Sequence, residues 1–199
     1  MDPLRQRLVA EATRQFVERG FDGASMREIA DACGVTKAAL YYHYTGKAAL
    51  LRDIVAGYLD EVASAVAEGR AAASGPADQL RAVVRGLFAL PVESRAIMRL
   101  AMHDLRHLDD THRVAFAAAY QARFLQPLTD LVRDGIEAGA FAPRDPATVV
   151  WMLLGMVYPF FSTQQAGRDE QRVVTELLDV LLFGLSSSPE PNTSTNTTP

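Results

Sequence analysis

Residues 25–47, SMREIADACGVTKAALYYHYTGK, constrain this chain more than any other stretch. Asp22-Gly23 is a turn signal just ahead of it. Ser25 stands three residues before Glu28, the capping-box spacing, so a helix is predicted to start there. Met26, Ile29, Ala30 and Cys33 fall near one side of that helix and form its expected core face. Gly34 can adopt the left-handed backbone of a sharp turn at little steric cost, and Val35 is expected to plug the corner. Thr36 then suits the N-cap of a second short helix, Lys37 to about Tyr42, and Thr45 the N-cap of a third that restarts near Lys47.

Two short helices joined by a tight Gly-containing turn form a helix–turn–helix, which places its second helix in the DNA major groove. In that frame Lys37 and Ala38 face base edges. Tyr41, Tyr42 and His43 meet the sugar–phosphate wall, where ring faces pack on sugar and polar tips reach phosphate. Lys47 adds a cation at the next helix start. Arg27 is either a solvated charge or a contact to base or phosphate. Tyr42 and Tyr44 are alternatively core aromatics, and burial is the preferred reading for Tyr44. Cys33 reads as a small core residue rather than a redox switch. Taken alone, a Gly-turned helix pair also occurs in all-α proteins that bind no DNA.

The motif becomes specific through Gly20-Phe21, Ser25, Ile29-Ala30, Gly34-Val35, Leu40-Tyr41-Tyr42-His43-Tyr44, Lys47 and Leu50-Leu51. This set resembles the DNA-binding domain of the TetR family of bacterial transcriptional regulators, over about residues 5–52. Three positions depart from the family pattern: Tyr44 stands where Phe is usual, Gly46 separates Thr45 from Lys47, and Ala48 replaces a frequent Glu. None removes a groove-facing group. The resemblance implies a DNA-facing set of Ser25, Arg27, Thr36, Lys37, Ala38, Leu40, Tyr41, Tyr42, His43 and Lys47. It also implies a ligand-binding and dimerising C-terminal domain, and a palindromic double-stranded DNA operator bound by a homodimer.

Composition bounds the rest. At 49% hydrophobic residues over 199 positions, the chain has enough apolar material for one or two packed domains. The single cysteine rules out a disulfide framework and fits a reducing compartment, and residues 1–19 mix charges in a way no signal peptide does. The most apolar run, Val149 to Phe161, is short for a bilayer span and holds Gly155 and Pro159, so a cytoplasmic protein without a membrane partner is expected. The net charge of −4 opposes nucleic-acid binding weakly, but its distribution favours it. Residues 1–52 carry eight Lys/Arg against six Asp/Glu; residues 53–199 carry twelve against eighteen.

The pattern beyond the motif is helical throughout. Leu8, Ala12 and Phe16 repeat every four residues in a first helix over 4–19 that Gly20 ends. Further helices are predicted over 47–68, 76–90, 92–105, 111–138, 146–161 and 168–185, with Pro127 kinking the 111–138 segment or marking a break in it. The expected architecture is all-α: an N-terminal three-helix DNA-binding domain over 1–52, a C-terminal helical domain over 53–185, and about nine helices. The tail, 186–199, lacks large apolar residues and is expected to be disordered.

Three further groups carry possible chemistry. Met98, Met102, Tyr120, Phe124, Trp151, Met152, Met156, Tyr158 and Phe161 suit either a core or a pocket for an apolar small-molecule effector. The last two helices are apolar enough either to meet a second subunit in a four-helix bundle or to wrap the protomer's own core. His103 and His107 are four apart, the zinc-chelating spacing on a helix, though H-D-L-R-H near a helix end reads more simply as solvated or capping residues. No phosphate-cradling loop or nucleophile elbow is present, so neither an enzymatic activity nor a cofactor is expected.

Overall fold

A computed structural model describes residues 2–161 and 169–185, leaving aside the side chains of Arg99, Met102 and Phe161. The expected tail, 186–199, lies outside the described residues. The helices, in chain order, are α1 (Pro3–Gly23), α2 (Met26–Ala32), α3 (Lys37–His43), α4 (Lys47–Ala71), α5 (Pro76–Ala89), α6 (Val92–His103), α7 (Asp110–Tyr120), α8 (Gln126–Glu137), α9 (Pro146–Phe161) and α10 (Glu170–Leu185). A 3₁₀ turn over Leu105–His107 follows α6, and a π turn over Gln121–Leu125 joins α7 to α8. Because α7, the π turn and α8 run on without a break, the described residues form nine helical rods.

Local sequence sets the start and stop of the N-terminal helices. The Asp2 carboxylate accepts the Leu4 amide at 3.1 Å, and Pro3 occupies the first turn of α1, where its missing N–H costs nothing. Gly20 breaks α1 with φ 76°, so Phe21–Gly23 continues in a new direction. Leu8, Ala12 and Phe16 are fully buried, as their four-residue repeat predicts.

The long helix α4 joins two packing environments. At 25 residues it spans about 37 Å. Its first turns bury Leu50, Leu51 and Ile54 in the N-terminal head; its later turns bury Val62, Ala65 and Val66 against α5, its most extensive neighbour. Each such leucine or valine contributes about 1.5–3 kcal/mol by leaving water. The head does not stand alone, since α1 also packs on α6. Behind them α8 packs on α9 and α5, and α10 on α5 and α9.

Two sequence expectations are corrected here. The start of α4 is capped by Gly46, not Thr45; Gly46 is fully extended and no side chain caps the helix. In the segment 111–138 the irregularity falls at the π turn over Gln121–Leu125 rather than at Pro127 itself. The π turn lies just before it, and that wider turn accommodates a residue with no N–H to donate. Arg70 of α4 then donates to the Pro127 carbonyl at 2.6 Å, tying the rods together.

Candidate nucleic-acid interface

The turn between α2 and α3 is closed by backbone bonds. Gly34, at φ 65°, donates to the Asp31 carbonyl at 3.0 Å, and Val35 donates to the Ala30 carbonyl at 3.0 Å. This paired arrangement is the Schellman motif, and its left-handed residue favours glycine. At the other end of α2 the capping box is complete. The Ser25 hydroxyl accepts the Glu28 amide at 3.2 Å, and the Glu28 carboxylate accepts the Ser25 amide at 3.2 Å. The Thr36 hydroxyl caps α3 by accepting the Ala39 amide at 3.1 Å. Ser25 and Thr36 are thus first of all helix caps.

Helix α3 is pinned by one side and open on the other. Leu40 is 0% exposed in the head core. It cannot contact DNA through its side chain, and the expectation that it does is corrected: it is the anchor that fixes α3. Lys37, Ala38, Tyr41 and Tyr42 are exposed and fall within an arc of roughly 140° at helical spacing. Tyr42 is 87% exposed, far more than any core aromatic. The Lys37 ammonium lies 5.5 Å from the Tyr41 ring centroid, a cation–π contact that holds both side chains on one face. His43 is half-buried, its imidazole 3.7 Å from the Asp2 carboxylate. Arg27 is exposed, 3.7 Å from Asp31 one turn on.

Two residues of the motif serve the head's own structure. Tyr44 is buried, and its hydroxyl donates to Asp53 at 3.0 Å while accepting from Arg5 at 3.0 Å. Arg5 also donates to Asp53 at 2.5 Å, so α1, the end of α3 and α4 share one polar cluster. A Phe at position 44 would leave that cluster without its middle member. Burial pushes the Tyr44 phenol up from its ordinary value, keeping it protonated as a donor. The Lys47 ammonium donates to the Phe21 carbonyl at 2.7 Å and the Ala24 carbonyl at 2.8 Å, and sits 4.6 Å from the Phe21 ring centroid. Lys47 is therefore tied to the two carbonyls that flank the α1–α2 turn. The burial of Tyr44 matches the sequence reading, whereas its bond to Arg5 and the carbonyl partners of Lys47 join positions more than 20 residues apart and have no local signal.

The other groups resolve differently. Met98 and Phe124 are buried; Tyr120, Met156 and Tyr158 are half-buried. Trp151 and Met152 are 59% and 61% exposed on the outer side of α9, so they do not line the interior of the protomer. That expectation is corrected: α9 is apolar on all sides, and its periodicity does not tell inside from outside. The side chains of Met102 and Phe161 lie outside the described residues. Helix α6 stops at His103, which puts His107 on the following 3₁₀ turn and removes the shared helical face a zinc site would use. Cys33 is buried, with its thiol pushed up from the ordinary value by burial. No described helix is long and apolar enough to cross a membrane.

A capped helix–turn–helix with an open recognition face, joined by a long helix to a larger helical domain, defines a DNA-binding regulator. The N-terminal profile of the bacterial regulatory proteins of the TetR family matches residues 8–54, and a tetracyclin repressor-like C-terminal domain profile matches residues 73–160. The chain belongs to the TetR family of DNA-binding transcriptional regulators. It is similar to the HTH-type transcriptional repressor KstR2 of Rhodococcus jostii, 25% identical over 137 residues, which are 69% of this chain and 67% of that one. Over 87 residues, 44% of this chain and 40% of the other, it is 34% identical to the HTH-type transcriptional activator FasR of Mycolicibacterium smegmatis. Among solved structures, AibR in complex with isovaleryl coenzyme A and operator DNA superposes with a TM-score of 0.80 at 26% identity, covering 92% of this chain and 99% of that one. A TetR-family regulatory protein from Rhodococcus RHA1 shares the fold with a TM-score of 0.85 at 20% identity, covering 95% and 100%.

Proposed function

We propose that this chain is a ligand-released repressor that binds a roughly palindromic operator as a homodimer. The observation that carries the reading is the split of α3, with Leu40 buried while Lys37, Ala38, Tyr41 and Tyr42 stay open. A helix whose exposed side presents a cation, a small residue and two tyrosines fits a major groove: Lys37 and Ala38 to base edges, Tyr41 and Tyr42 to the sugar–phosphate wall. Ser25, Arg27, Thr36 and His43 flank that face and are assigned to phosphates at its edges. The relatives named as repressors support the sign of regulation.

Dimerisation is supported by the far end of the molecule. Trp151 and Met152 on α9 and Val180 and Phe183 on α10 are exposed, and the two helices pack side by side. Large apolar side chains on adjacent helices mark an interface more often than a solvated surface. Two such pairs make a four-helix bundle between protomers. The two reading heads then engage half-sites one or more helical turns apart, roughly 34–36 Å per turn. A small apolar effector in the C-terminal domain releases DNA by binding more tightly to the non-gripping spacing of the heads. AibR, solved in complex with isovaleryl coenzyme A and operator DNA, shows that a protein of this fold takes both a small molecule and DNA.

Retardation of the chain's own promoter fragment, with sedimentation of the free protein, tests this reading. A dimer that shifts the fragment at nanomolar concentration is expected. A monomer, or a protein that retards no promoter DNA, contradicts it.

A further inference from the structure

Three tyrosines from three helices meet inside the C-terminal domain. The hydroxyls of Tyr120, at the end of α7, and Tyr158, on α9, lie 2.7 Å apart. Tyr58 of α4 is 1% exposed, and its hydroxyl has no hydrogen-bond partner. The three sit close enough that ionising one would disfavour ionising its neighbours, and burial pushes all three phenols up from their ordinary value. Burial thus favours the protonated, hydrogen-donating form of each phenol. A buried hydroxyl without a partner destabilises a resting protein, and native interiors rarely keep one without a use.

The surroundings are apolar. Phe116, Tyr120 and Phe124 follow one another at helical spacing, with ring centroids 6.1 and 5.2 Å apart along the series. The π turn opens directly after Tyr120. Such turns re-aim side chains and recur at binding sites. Three phenols bring three hydrogens, and the Tyr120–Tyr158 bond uses one. Two remain for a guest. No Lys, Arg or His among the described residues pairs with the cluster, and Glu61 adds negative charge near Tyr58. An anion would find no compensation here. A neutral oxygen acceptor would satisfy a free donor without adding charge.

The geometry points to Tyr58, Tyr120 and Tyr158 as the polar anchor of the effector site, and to an uncharged, largely apolar effector that presents a carbonyl oxygen to them. This rests on the reading of the C-terminal domain as an effector domain. It narrows that reading from apolar compounds in general to those with a hydrogen-bond acceptor at one end.

Three probes of similar shape separate the possibilities: α-tetralone, tetralin and 1,2,3,4-tetrahydro-1-naphthoate, titrated calorimetrically into the full chain. The wild type is expected to bind the ketone at least about tenfold more tightly than the hydrocarbon or the carboxylate, since a hydrogen-bonding site rejects an analogue lacking the acceptor. Tyr58→Phe should bring ketone and hydrocarbon within about twofold while leaving the unliganded melting temperature unchanged or raised. A Tyr58 serving only the fold would instead lose melting temperature. Equal affinities in the wild type, tighter binding of the carboxylate, no binding of the ketone, or a preference that survives Tyr58→Phe and Tyr120→Phe overturns the assignment. Retardation of promoter DNA by the unliganded protein reads the regulator itself. Its loss sinks that reading separately, whatever the probes do.

Discussion

The imidazole of His107 lies flat on the ring of Phe21, with centroids 4.2 Å apart and planes inclined by 17°. His107 belongs to the 3₁₀ turn after α6, while Phe21 belongs to the reading head. The same Phe21 carries Lys47 at its ring and on its carbonyl. One aromatic side chain thus touches both the turn after α6 and the first residue of α4. His107→Ala is expected to lose about 0.5–1.5 kcal/mol of stability, the usual worth of an aromatic pair. It should also change operator affinity although position 107 is remote from the α3 face. Urea unfolding and gel retardation check this; unchanged values in both would remove His107 from the link.

Lys47→Met keeps the hydrocarbon stem and deletes the ammonium. Two charge-assisted bonds to carbonyls vanish, so a loss of about 1.5–3 kcal/mol is expected in equilibrium unfolding. The dependence of DNA affinity on salt should stay as it was, because the ammonium faces the head's own backbone. A slope reduced by about one unit would place Lys47 on a phosphate after all.

Leu40 and Tyr42 stand two residues apart and should behave oppositely. Leu40→Ala opens a cavity in the head core and should cost about 2–5 kcal/mol. Tyr42→Ala, at an open position, should change stability by less than about 0.5 kcal/mol and weaken DNA binding. Thermal unfolding separates the two variants. A destabilised Tyr42→Ala protein with intact DNA affinity would reverse the assignment.

Acid should loosen the α2 cap. Hydrogen bonds from Ser25 and the neighbouring Arg19 hold the Glu28 carboxyl below its ordinary value of 4.5. A group depressed in the folded state contributes stability above its unfolded value and loses it as pH falls through the lower folded one. Glu28→Gln should therefore be less stable than wild type at pH 7, with the gap narrowing as the pH falls below 4.5. Denaturation at pH 7 and in acid tests it, and a gap that persists in acid contradicts the charged cap.

The parts of this molecule written in short spacings were legible in the chain. Ser25 with Glu28, Gly34 with Val35, and the Leu8–Ala12–Phe16 stripe each specify their local structure within one helical turn or so. Features that depend on distant partners were not. Lys47 looks like a phosphate cation until the fold brings the Phe21 and Ala24 carbonyls to it. Trp151 and Met152 look like pocket residues because α9 is apolar all round, and only packing decides which side faces out. Tyr120 and Tyr158 read as apolar lining in the sequence, but their hydroxyl pairing spans 38 positions and no periodicity encodes it. Tyr58 looked like one more core residue of the long helix.

The central claim is that the open side of α3 reads DNA sequence, and selection of bound fragments from a random pool tests it most directly. The wild type should enrich an inverted repeat. Lys37→Ala should enrich the same repeat with preference relaxed at one symmetric position in each half-site. No enrichment by the wild type, or an identical preference from the variant, would contradict the account.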